Sequence, residues 1–324
     1  MAEWTLSAAL NRALIDAMEE DPRLLVYGED VGRLGGVFRV TDGLQAKFGE
    51  DRVFDTPIAE SGIVGAAIGL ALTGWKSVVE MQFDGFTYPA FEQIVSHLAK
   101  YRNRNRGRVE LPIVIRIPSF GGIRGKEHHG ESPETYFAHT AGLKVVAPSG
   151  ALDGYRLLRL AIDDPDPVVF LEPKARYWAK EEGVLEVGAP GLDEGRVVLD
   201  GDACVVFAYG SMVARCLDSA EVVRADGIAA RVVDLRSLAP LDVELIGRCA
   251  RETGRAVVVH EAPRSLGLGA EVTARIVEEA FDHLEAPVVR VTGWDVPYPP
   301  AALEARYLPS VDRIVEAIRG VIAY

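Results

Sequence analysis

Cysteine is scarce in this sequence. The 324 residues contain three cysteines, at positions 204, 216 and 249. No two of them form a C-x-x-C pair, so the sequence offers neither a disulfide framework nor the common zinc and redox dithiol motifs. This usage is typical of a reducing compartment, and we expect a cytoplasmic protein.

Long apolar runs and an excess of positive charge are also absent. The longest uncharged stretch, Ser61 to Trp75, has 15 residues and includes four glycines, which is short of the ~20 residues needed to cross a bilayer. The first residues carry no basic segment, so no secretory leader is expected. Lys and Arg number 35 against 48 Asp and Glu, a formal charge of −13. This charge would repel nucleic acid and anionic membranes, and we expect neither as a partner.

The common nucleotide and catalytic motifs are missing. Neither G-x-x-x-x-G-K-[ST] nor G-x-G-x-x-G occurs, and the nearest match, Gly267-Leu-Gly269, lacks the third glycine. Gly210-Ser211 lacks the flanks of a nucleophile elbow, and His128 and His129 have no i, i+4 partner for a zinc-protease motif. A self-contained dehydrogenase, kinase or hydrolase is therefore not predicted.

Short β-branched runs alternate with segments of helical period along the chain, which predicts an α/β fold of parallel strands and helical crossovers. At roughly 150 residues per domain, the length fits two domains. Between residues 172 and 199 the pattern loosens into turn residues. We therefore predict a first domain at residues 1–180, a linker at 181–199 and a second domain at 200–324.

Individual elements follow from the same pattern. Strands are predicted at residues 23–28, 77–83, 112–118, 143–148, 168–172, 203–208, 230–235, 256–260 and 288–291. Helices of the second half are predicted at residues 212–225, 242–252, 271–284 and 311–322.

Glu60 stands at the start of a predicted helix that is rich in glycine. Gly62, Gly65 and Gly69 share one face of it. Glycine in a helix costs about 1 kcal/mol relative to alanine, so three of them suggest very close packing. Glu60 is either a functional acid or a side chain that merely complements the helix dipole.

Two further segments carry side chains suited to binding and proton transfer. Residues 80–91 run from a strand into an aromatic turn, where Phe86 and Tyr88 are placed to stack on a planar ring and Phe83 is expected in the core. Residues 121–134 form a glycine-bounded loop that presents His128 and His129. Imidazole is well suited to proton transfer near neutral pH.

In this order, the segments resemble the β subunit of the thiamine-diphosphate-dependent decarboxylase component of 2-oxo acid dehydrogenase complexes. The resemblance covers essentially the whole chain. It implies a pyrimidine-binding α/β domain followed by a transketolase-type carboxyl-terminal domain. The motifs that carry it are Gly35-Gly-Val-Phe-Arg39, Asp55-Thr-Pro-Ile-Ala-Glu-Ser-Gly62, Met81-Gln-Phe-Asp-Gly-Phe86 and Gly142-Leu-Lys-Val-Val-Ala-Pro148.

The resemblance implies a set of cofactor-binding residues. Glu60 would hydrogen-bond the aminopyrimidine ring nitrogen of thiamine diphosphate, with Glu29 close to it. Gln82 would be a polar neighbour of the cofactor. Phe86 would stack near the pyrimidine ring, at a position where branched-chain relatives carry a tyrosine.

The resemblance gives His129 a role in catalysis. It would orient the substrate carboxylate or the covalent intermediate, or assist transfer to the lipoyl group. The family's His-Ser-Gln-Ser-Pro-Glu stretch reads His129-Gly-Glu-Ser-Pro-Glu134 here, which puts the contacts of the usual Ser and Gln in doubt. His128 is the alternative for the same role.

The diphosphate-binding motif is missing from this chain. Gly201-Asp202 continues into Ala203-Cys204 instead of completing G-D-G. The chain is therefore expected to hold only the pyrimidine end of the cofactor, while an α subunit in an α2β2 heterotetramer supplies the diphosphate end and the magnesium. Relatives also bind potassium through backbone carbonyls, at positions that match Ile113, Val114, Ala161, Asp164 and Asp166.

The carboxyl-terminal domain of relatives docks the peripheral-subunit-binding domain of the lipoyl acyltransferase. The candidate contacts here are Asp295 and Tyr324, and the charge of −13 suits a basic partner.

The substrate class leaves alternatives. The stretches at residues 132–139 and 260–263 favour branched-chain 2-oxo acids such as 3-methyl-2-oxobutanoate, and pyruvate and acetoin are the other candidates. A catalytically silent interaction subunit is the alternative from another class. It would need only the carboxyl-terminal domain, whereas the presence of Glu60 and His129 favours the enzyme.

Overall fold

The computed structural model describes residues 2–324, apart from the side chain of residue 127. Its strands are β1 (Ala2–Thr5), β2 (Leu24–Gly28), β3 (Val53–Asp55), β4 (Lys76–Glu80), β5 (Ile113–Ser119), β6 (Lys144–Val146), β7 (Val168–Pro173), β8 (Lys180–Gly183), β9 (Arg196–Leu199), β10 (Cys204–Ala208), β11 (Ala230–Asp234), β12 (Ser237–Ala239), β13 (Ala256–Pro263) and β14 (Val289–Gly293). Its α-helices are α1 (Leu6–Glu20), α2 (Leu44–Phe48), α3 (Glu60–Leu72), α4 (Ala99–Arg104), α5 (Glu134–Ala138), α6 (Ala151–Asp163), α7 (Met212–Arg224), α8 (Val243–Thr253), α9 (Leu268–Ala280), α10 (Glu304–Tyr307) and α11 (Val311–Ile322).

Within residues 2–324 the strands form sheets of seven, five and two strands. The larger sheet has the order β12-β6-β7-β5-β4-β2-β3 and is parallel except for β12. The five-stranded sheet has the order β14-β13-β10-β11-β9 and is parallel except for β9. The strands β2 and β10 are buried along their whole length, as parallel strands covered by helices on both faces should be. The α/β prediction is confirmed.

The helices begin where polar side chains cap them and cover the sheets with their apolar faces. The Thr5 hydroxyl accepts the Ala8 N–H at 3.2 Å at the start of α1, and the Asp242 carboxylate accepts the Leu245 N–H at 3.0 Å at the start of α8. Along α1 the buried residues recur at helical spacing and pack on α6. No helix among residues 2–324 is long and apolar enough to cross a membrane.

The long apolar strands and the second-half helices lie where the sequence predicts them, with α9 beginning three residues early, at Leu268. The short strands β1, β3, β8, β9 and β12 escape prediction. Two of them, β8 and β9, fall at or inside the segment predicted as a linker. There β8 pairs with β1, and β9 is an edge strand beside β11. Residues 181–199 are therefore tied to the two-stranded sheet at one end and to the five-stranded sheet at the other.

The two halves of the chain are joined by a common core and by buried polar contacts. The largest cluster of buried apolar residues contains Phe120 and Phe137 from the first half and Phe207 and Leu238 from the second. Ser149 Oγ donates to Asp234 Oδ2 at 2.6 Å. Arg236 Nε donates to Asp153 Oδ1 at 2.7 Å, with both side chains buried. A site built from both halves is therefore held rigidly.

Candidate active site

The predicted site residues lie after the carboxyl ends of neighbouring parallel strands. Glu29 follows β2, Gln82 follows β4, and Glu60 begins α3, which follows β3. Two segments complete this edge of the sheet: the aromatic turn (residues 83–91) after β4 and the histidine loop (residues 120–130) after β5. Loops at this edge are where α/β proteins bind ligands.

Two carboxyl groups lie close together at the acidic end of the site. Glu60 and Glu29 are both buried. Burial raises the pKa of Glu29, and the carboxylates of Glu60 and Asp30 raise it further. Glu29 Oε1 has no hydrogen-bond partner within the described part of the chain. A bound ligand could supply that partner, either by donating to this oxygen or by accepting a proton that it carries.

Gln82 links the loop after β4 to the loop after β2. Its Nε2 donates to Asp30 Oδ2 at 2.6 Å, next in sequence to Glu29. The amide is thereby oriented beside the paired acids, as a polar neighbour of a bound ring should be.

Phe83 and Phe86 of the aromatic turn enclose the His129 imidazole. The Phe83 ring stacks on it with centroids 4.1 Å apart, and the Phe86 ring meets it edge-on at 5.2 Å. Phe83, which the sequence predicts in the core, is half-buried and lies against His129. The backbone also brings the segments together, since a methyl group at Gly85 would collide with the His128 carbonyl oxygen.

The two histidines differ in their surroundings. His129 is half-buried and His128 is exposed, although their ring centroids are only 4.0 Å apart. Burial lowers the pKa of His129, and the positive charge that His128 gains on protonation lowers it further. His129 Nδ1 is buried without a partner in the described structure. A neutral imidazole with a free nitrogen is able to accept or relay a proton near pH 7.

A buried ion pair that sequence reasoning missed lies below this cluster. Lys174 Nζ donates to Asp84 Oδ1 at 2.9 Å and to the Pro118 carbonyl at 3.2 Å. Burial raises the pKa of Asp84 to about 6 and lowers that of Lys174. Lys174 immediately follows the fully buried β7, and a lysine there was the signal that a buried partner exists.

Two buried carboxylates from the second half were missed as well. Glu261 and Glu304 accept hydrogen bonds from backbone N–H groups of the histidine loop. Glu261 interrupts the apolar strand β13, a pattern that points to a specific partner. Nothing in the sequence singles out Glu304.

The positions implied for potassium lie at the amino-terminal end of β5, at the carboxyl-terminal end of α6 and in the segment between α6 and β7. Ile113 and Val114 are buried in β5, and Ala161 lies in the last turn of α6. The Asp164 carboxylate accepts from Lys144 at 2.7 Å, and the Asp166 carboxylate accepts from Arg102 at 2.6 Å. Both side chains are thus engaged in ion pairs.

The implied docking residues lie on the surface of the second half. Asp295 is exposed and its carboxylate accepts the Ser265 N–H at 2.8 Å and the Ser265 hydroxyl at 2.9 Å, bonds that lower its pKa. Tyr324 is 80% exposed beyond the end of α11. Both side chains are accessible to another protein.

The residues present fit the pyrimidine end of thiamine diphosphate. The unpartnered Glu29 oxygen and the buried Glu60 carboxyl suit the ring nitrogens and amino group, and Phe86 offers an aromatic face. No group of three or more His, Cys, Asp or Glu side chains within residues 2–324 is arranged to hold a metal ion.

Comparison with known proteins places both halves in one family. The model described as "Transketolase, pyrimidine binding domain" matches residues 2–179, and "Transketolase, C-terminal domain" matches residues 193–314. Among solved structures, a chain described as "Split gene transketolase, inactive beta4 tetramer" has a TM-score of 0.81 and 27% identity, covering 98% of each chain.

Curated relatives narrow the family. A 3-methyl-2-oxobutanoate dehydrogenase subunit beta of Mycobacterium tuberculosis (strain ATCC 25618 / H37Rv) is 54% identical over 321 residues, covering 98% of this chain and 92% of that protein. A pyruvate dehydrogenase E1 component subunit beta of Leifsonia xyli subsp. xyli is 52% identical over 317 residues, covering 98% and 94%. The family and fold implied by the sequence motifs are confirmed. The chain belongs to the β subunits of the thiamine-diphosphate-dependent 2-oxo acid dehydrogenase E1 components.

Proposed function

We propose that this chain, assembled with an α subunit, decarboxylates branched-chain 2-oxo acids such as 3-methyl-2-oxobutanoate and transfers the acyl group to the lipoyl group of an acyltransferase. The observation that carries the proposal is that the paired acids Glu29 and Glu60 and the His129 imidazole, packed on Phe83 and Phe86, follow neighbouring strands at one edge of the seven-stranded sheet. An acid pair and a neutral imidazole are the groups that proton transfers around such a cofactor require.

The paired acids hold the pyrimidine end of the cofactor in this proposal. Thiamine diphosphate, when bound, supplies a nucleophilic carbon and an electron sink for decarboxylation. Glu60 hydrogen-bonds the pyrimidine ring nitrogen, and Glu29, whose pKa is raised by burial and by the Glu60 carboxylate, lies beside it as a second acid. Gln82 and Phe86 orient the ring by a polar contact and by stacking.

His129 acts on the substrate side. Its lowered pKa keeps the imidazole neutral, and its unpartnered Nδ1 is free to bind a polar group. We assign it orientation of the substrate carboxylate and assistance in transfer to the lipoyl group. His128, exposed and 4.0 Å away between ring centroids, is the competitor, and loss of acyl transfer only in His128→Ala would reverse the assignment.

The α subunit supplies the other half of the site. The missing G-D-G motif supports this division, because that is the motif that binds the diphosphate and its magnesium in the family. The proposed assembly is an α2β2 heterotetramer with magnesium held by the α subunit. Potassium would be bound by the backbone oxygens of Ile113, Val114, Ala161, Asp164 and Asp166.

The two domains divide the work. We propose that the first, residues 1–180, binds the pyrimidine end, and that the second, residues 200–324, docks the peripheral-subunit-binding domain of the acyltransferase through Asp295 and Tyr324. The charge of −13 supports a basic partner. Cys204, Cys216 and Cys249 are free and buried, which supports the cytoplasm as the compartment.

Branched-chain substrates are preferred over pyruvate and acetoin in this proposal. The relative at 54% identity is named for 3-methyl-2-oxobutanoate, and the one at 52% for pyruvate. Small apolar differences in substrate change binding by only about 1–3 kcal/mol, so they leave a faint trace in one subunit.

The test is coexpression with the cognate α subunit, followed by decarboxylation assays on 3-methyl-2-oxobutanoate and pyruvate with thiamine diphosphate and magnesium. We expect kcat/KM to favour 3-methyl-2-oxobutanoate by roughly tenfold or more, and no turnover by this chain alone. A preference for pyruvate would overturn the substrate assignment. Robust turnover without the α subunit would overturn the shared site.

A further inference from the structure

The histidine loop has a strained backbone. Phe120 and Arg124 have φ of 70° and 54°, in the left-handed region that residues with a Cβ rarely adopt, and Gly122 between them has φ of 93°. Such conformations persist only where the surrounding structure holds them. The loop that carries both histidines therefore depends on contacts outside itself.

Those contacts come from two carboxylates of the second half. Glu261 Oε2 accepts the Gly121 N–H at 2.7 Å. Glu304 Oε1 accepts the Gly122 N–H at 3.1 Å, and both of its oxygens accept the Arg124 N–H, at 3.2 and 3.1 Å. Both acid side chains are buried, and hydrogen bonds from backbone N–H groups to an ionised carboxylate are stronger than those between neutral groups.

Tyr298 completes the support by contacting both ends of the loop. Its hydroxyl donates to Glu304 Oε1 at 2.8 Å. A methyl group added at Gly121 or Gly130 would collide with the Tyr298 side chain, so the two glycines lie directly against it. Just outside these two glycines, the Phe120 N–H donates to the Glu131 carbonyl at 2.9 Å and joins the two ends of the loop.

The positive charge of Lys174 lies near the carboxylates that support the loop. Burial lowers the pKa of Lys174, and the carboxylates of Asp84, Glu261 and Glu304 act in the opposite direction. The same lysine binds Asp84 in the aromatic turn. The support of the histidine loop and the turn that packs on His129 thus share one buried cation.

The geometry points to Glu261 and Glu304 as positioning residues that hold the histidine loop, and with it the His129 imidazole, against Phe83 and Phe86. Neither acid touches the imidazole; each acts through the backbone of residues 121–124. The inference rests on the proposed role of His129, and it adds that the carboxyl-terminal domain sets the geometry of the site.

The test compares Glu304→Ala, Glu304→Gln and Glu261→Gln with Ser149→Ala in the enzyme assembled with its α subunit. Ser149→Ala is the control because it also removes side-chain hydrogen bonds between distant parts of the chain, to Asp234 and from Arg196, but away from the histidine loop. Two readouts are taken: hydrogen exchange of residues 120–130, and reductive acylation of a free lipoyl domain against decarboxylation with an artificial electron acceptor.

We expect Glu304→Ala to speed exchange of the loop amides at least about tenfold. It should lower kcat for reductive acylation about tenfold or more, with the KM for the lipoyl domain unchanged. Decarboxylation with the artificial acceptor should fall less. Glu304→Gln keeps an acceptor oxygen and should recover part of both effects, and Glu261→Gln should resemble it. Ser149→Ala should behave as the parent enzyme.

The two readouts separate the inference from the function on which it rests. Unchanged exchange of residues 120–130 in Glu304→Ala overturns the positioning role, whatever the activity. Faster exchange with reductive acylation still at the parent rate, in that variant and in His129→Ala alike, overturns the role of His129. Equal losses in Glu304→Ala and Ser149→Ala would reduce Glu304 to a general structural residue.

Discussion

At the scale of single residues, the chemistry of the site depends on buried charges, and the pair Asp84 and Lys174 is the clearest case. Asp84 and Lys174 are fully buried, and Asp84 Oδ2 has no further partner within the described chain. A buried ion pair is weak evidence for stability as a pair, but removal of one member leaves an uncompensated charge. Asp84 is the first residue of the 3-10 helix in the aromatic turn, so loss of its partner would destabilise a segment that lines the site.

Lys174→Met should therefore be strongly destabilising, and the double variant Asp84→Asn/Lys174→Met should recover most of the loss. We expect the single variant to lose about 3–5 kcal/mol, because Asp84 stays buried without a cation. Urea unfolding followed by fluorescence and near-UV circular dichroism measures the difference. If the double variant is no more stable than Lys174→Met, the loss comes from packing of the lysine stem rather than from the orphaned charge.

The sequence motifs single out Glu60 and His129 as candidates, and they do not reveal the residues that support the histidine loop. Glu60 and His129 stand in short local motifs. By contrast, Lys174 is 90 residues from Asp84, Glu261 is 140 from Gly121, and Glu304 is 182 from Gly122. A hydrogen bond between distant positions leaves no local pattern in a single sequence, so only the folded chain reveals it.

At the scale of secondary-structure elements, the same distinction separates long strands from short ones. The strands β2 and β10 are fully buried runs without a charged residue, and burial on both faces makes them visible in the sequence. The strands β3 and β12 have three residues each and exist because a neighbouring strand pairs with them. Arg236, in the loop that precedes β12, donates a hydrogen bond to the Asp153 carboxylate of the first half, which holds the loop in place.

The helix α3 differs from its expected packing. Gly65 has only Gln93 Oε1 near the position of a Cβ, at 3.6 Å, and Gly69 has nothing within 4 Å. Ser61, Gly62, Ala66 and Gly69 form an exposed face, although the helix is apolar on nearly all sides. A helix of this composition is normally buried. Within the described chain, therefore, no segment packs closely against these glycines. This fits burial of the helix face against another subunit of the proposed heterotetramer.

Gly69→Leu should block assembly of the heterotetramer while the chain itself stays folded, because the added side chain points into open space within the chain. Gly69→Ala should raise the stability of the isolated chain by up to about 1 kcal/mol. Size-exclusion chromatography with light scattering on coexpressed subunits measures assembly. Gly320→Leu in α11, where a Cβ also meets nothing within 4 Å, is the matched control and should assemble. Normal assembly of Gly69→Leu contradicts burial of this face.

At the scale of the whole molecule, the two halves meet through ionisable groups as well as through the apolar core. Tyr209 Oη donates to Glu134 Oε1 at 2.6 Å across the contact between the halves, and both side chains are buried. Burial raises the pKa of Glu134 to about 7; the Tyr209 hydrogen bond lowers it and the Glu261 carboxylate raises it. Near neutral pH the contact between the domains thus holds a carboxyl group that is partly protonated.

Glu134→Gln should remove a pH dependence of stability that the parent chain shows. The folded chain binds this proton more tightly than the unfolded chain, so the stability contributed by Glu134 is complete below pH 4.5 and is lost as the pH rises through about 7. The stability of the parent relative to Glu134→Gln should fall by at most about 1.4 kcal/mol per pH unit in that window and level off above it. Tyr209→Phe removes the bond that favours the charged carboxylate, so its window should end at higher pH. Thermal unfolding midpoints of the three proteins across this range measure both effects, and parallel curves for the parent and Glu134→Gln would show that Glu134 does not titrate in the folded chain.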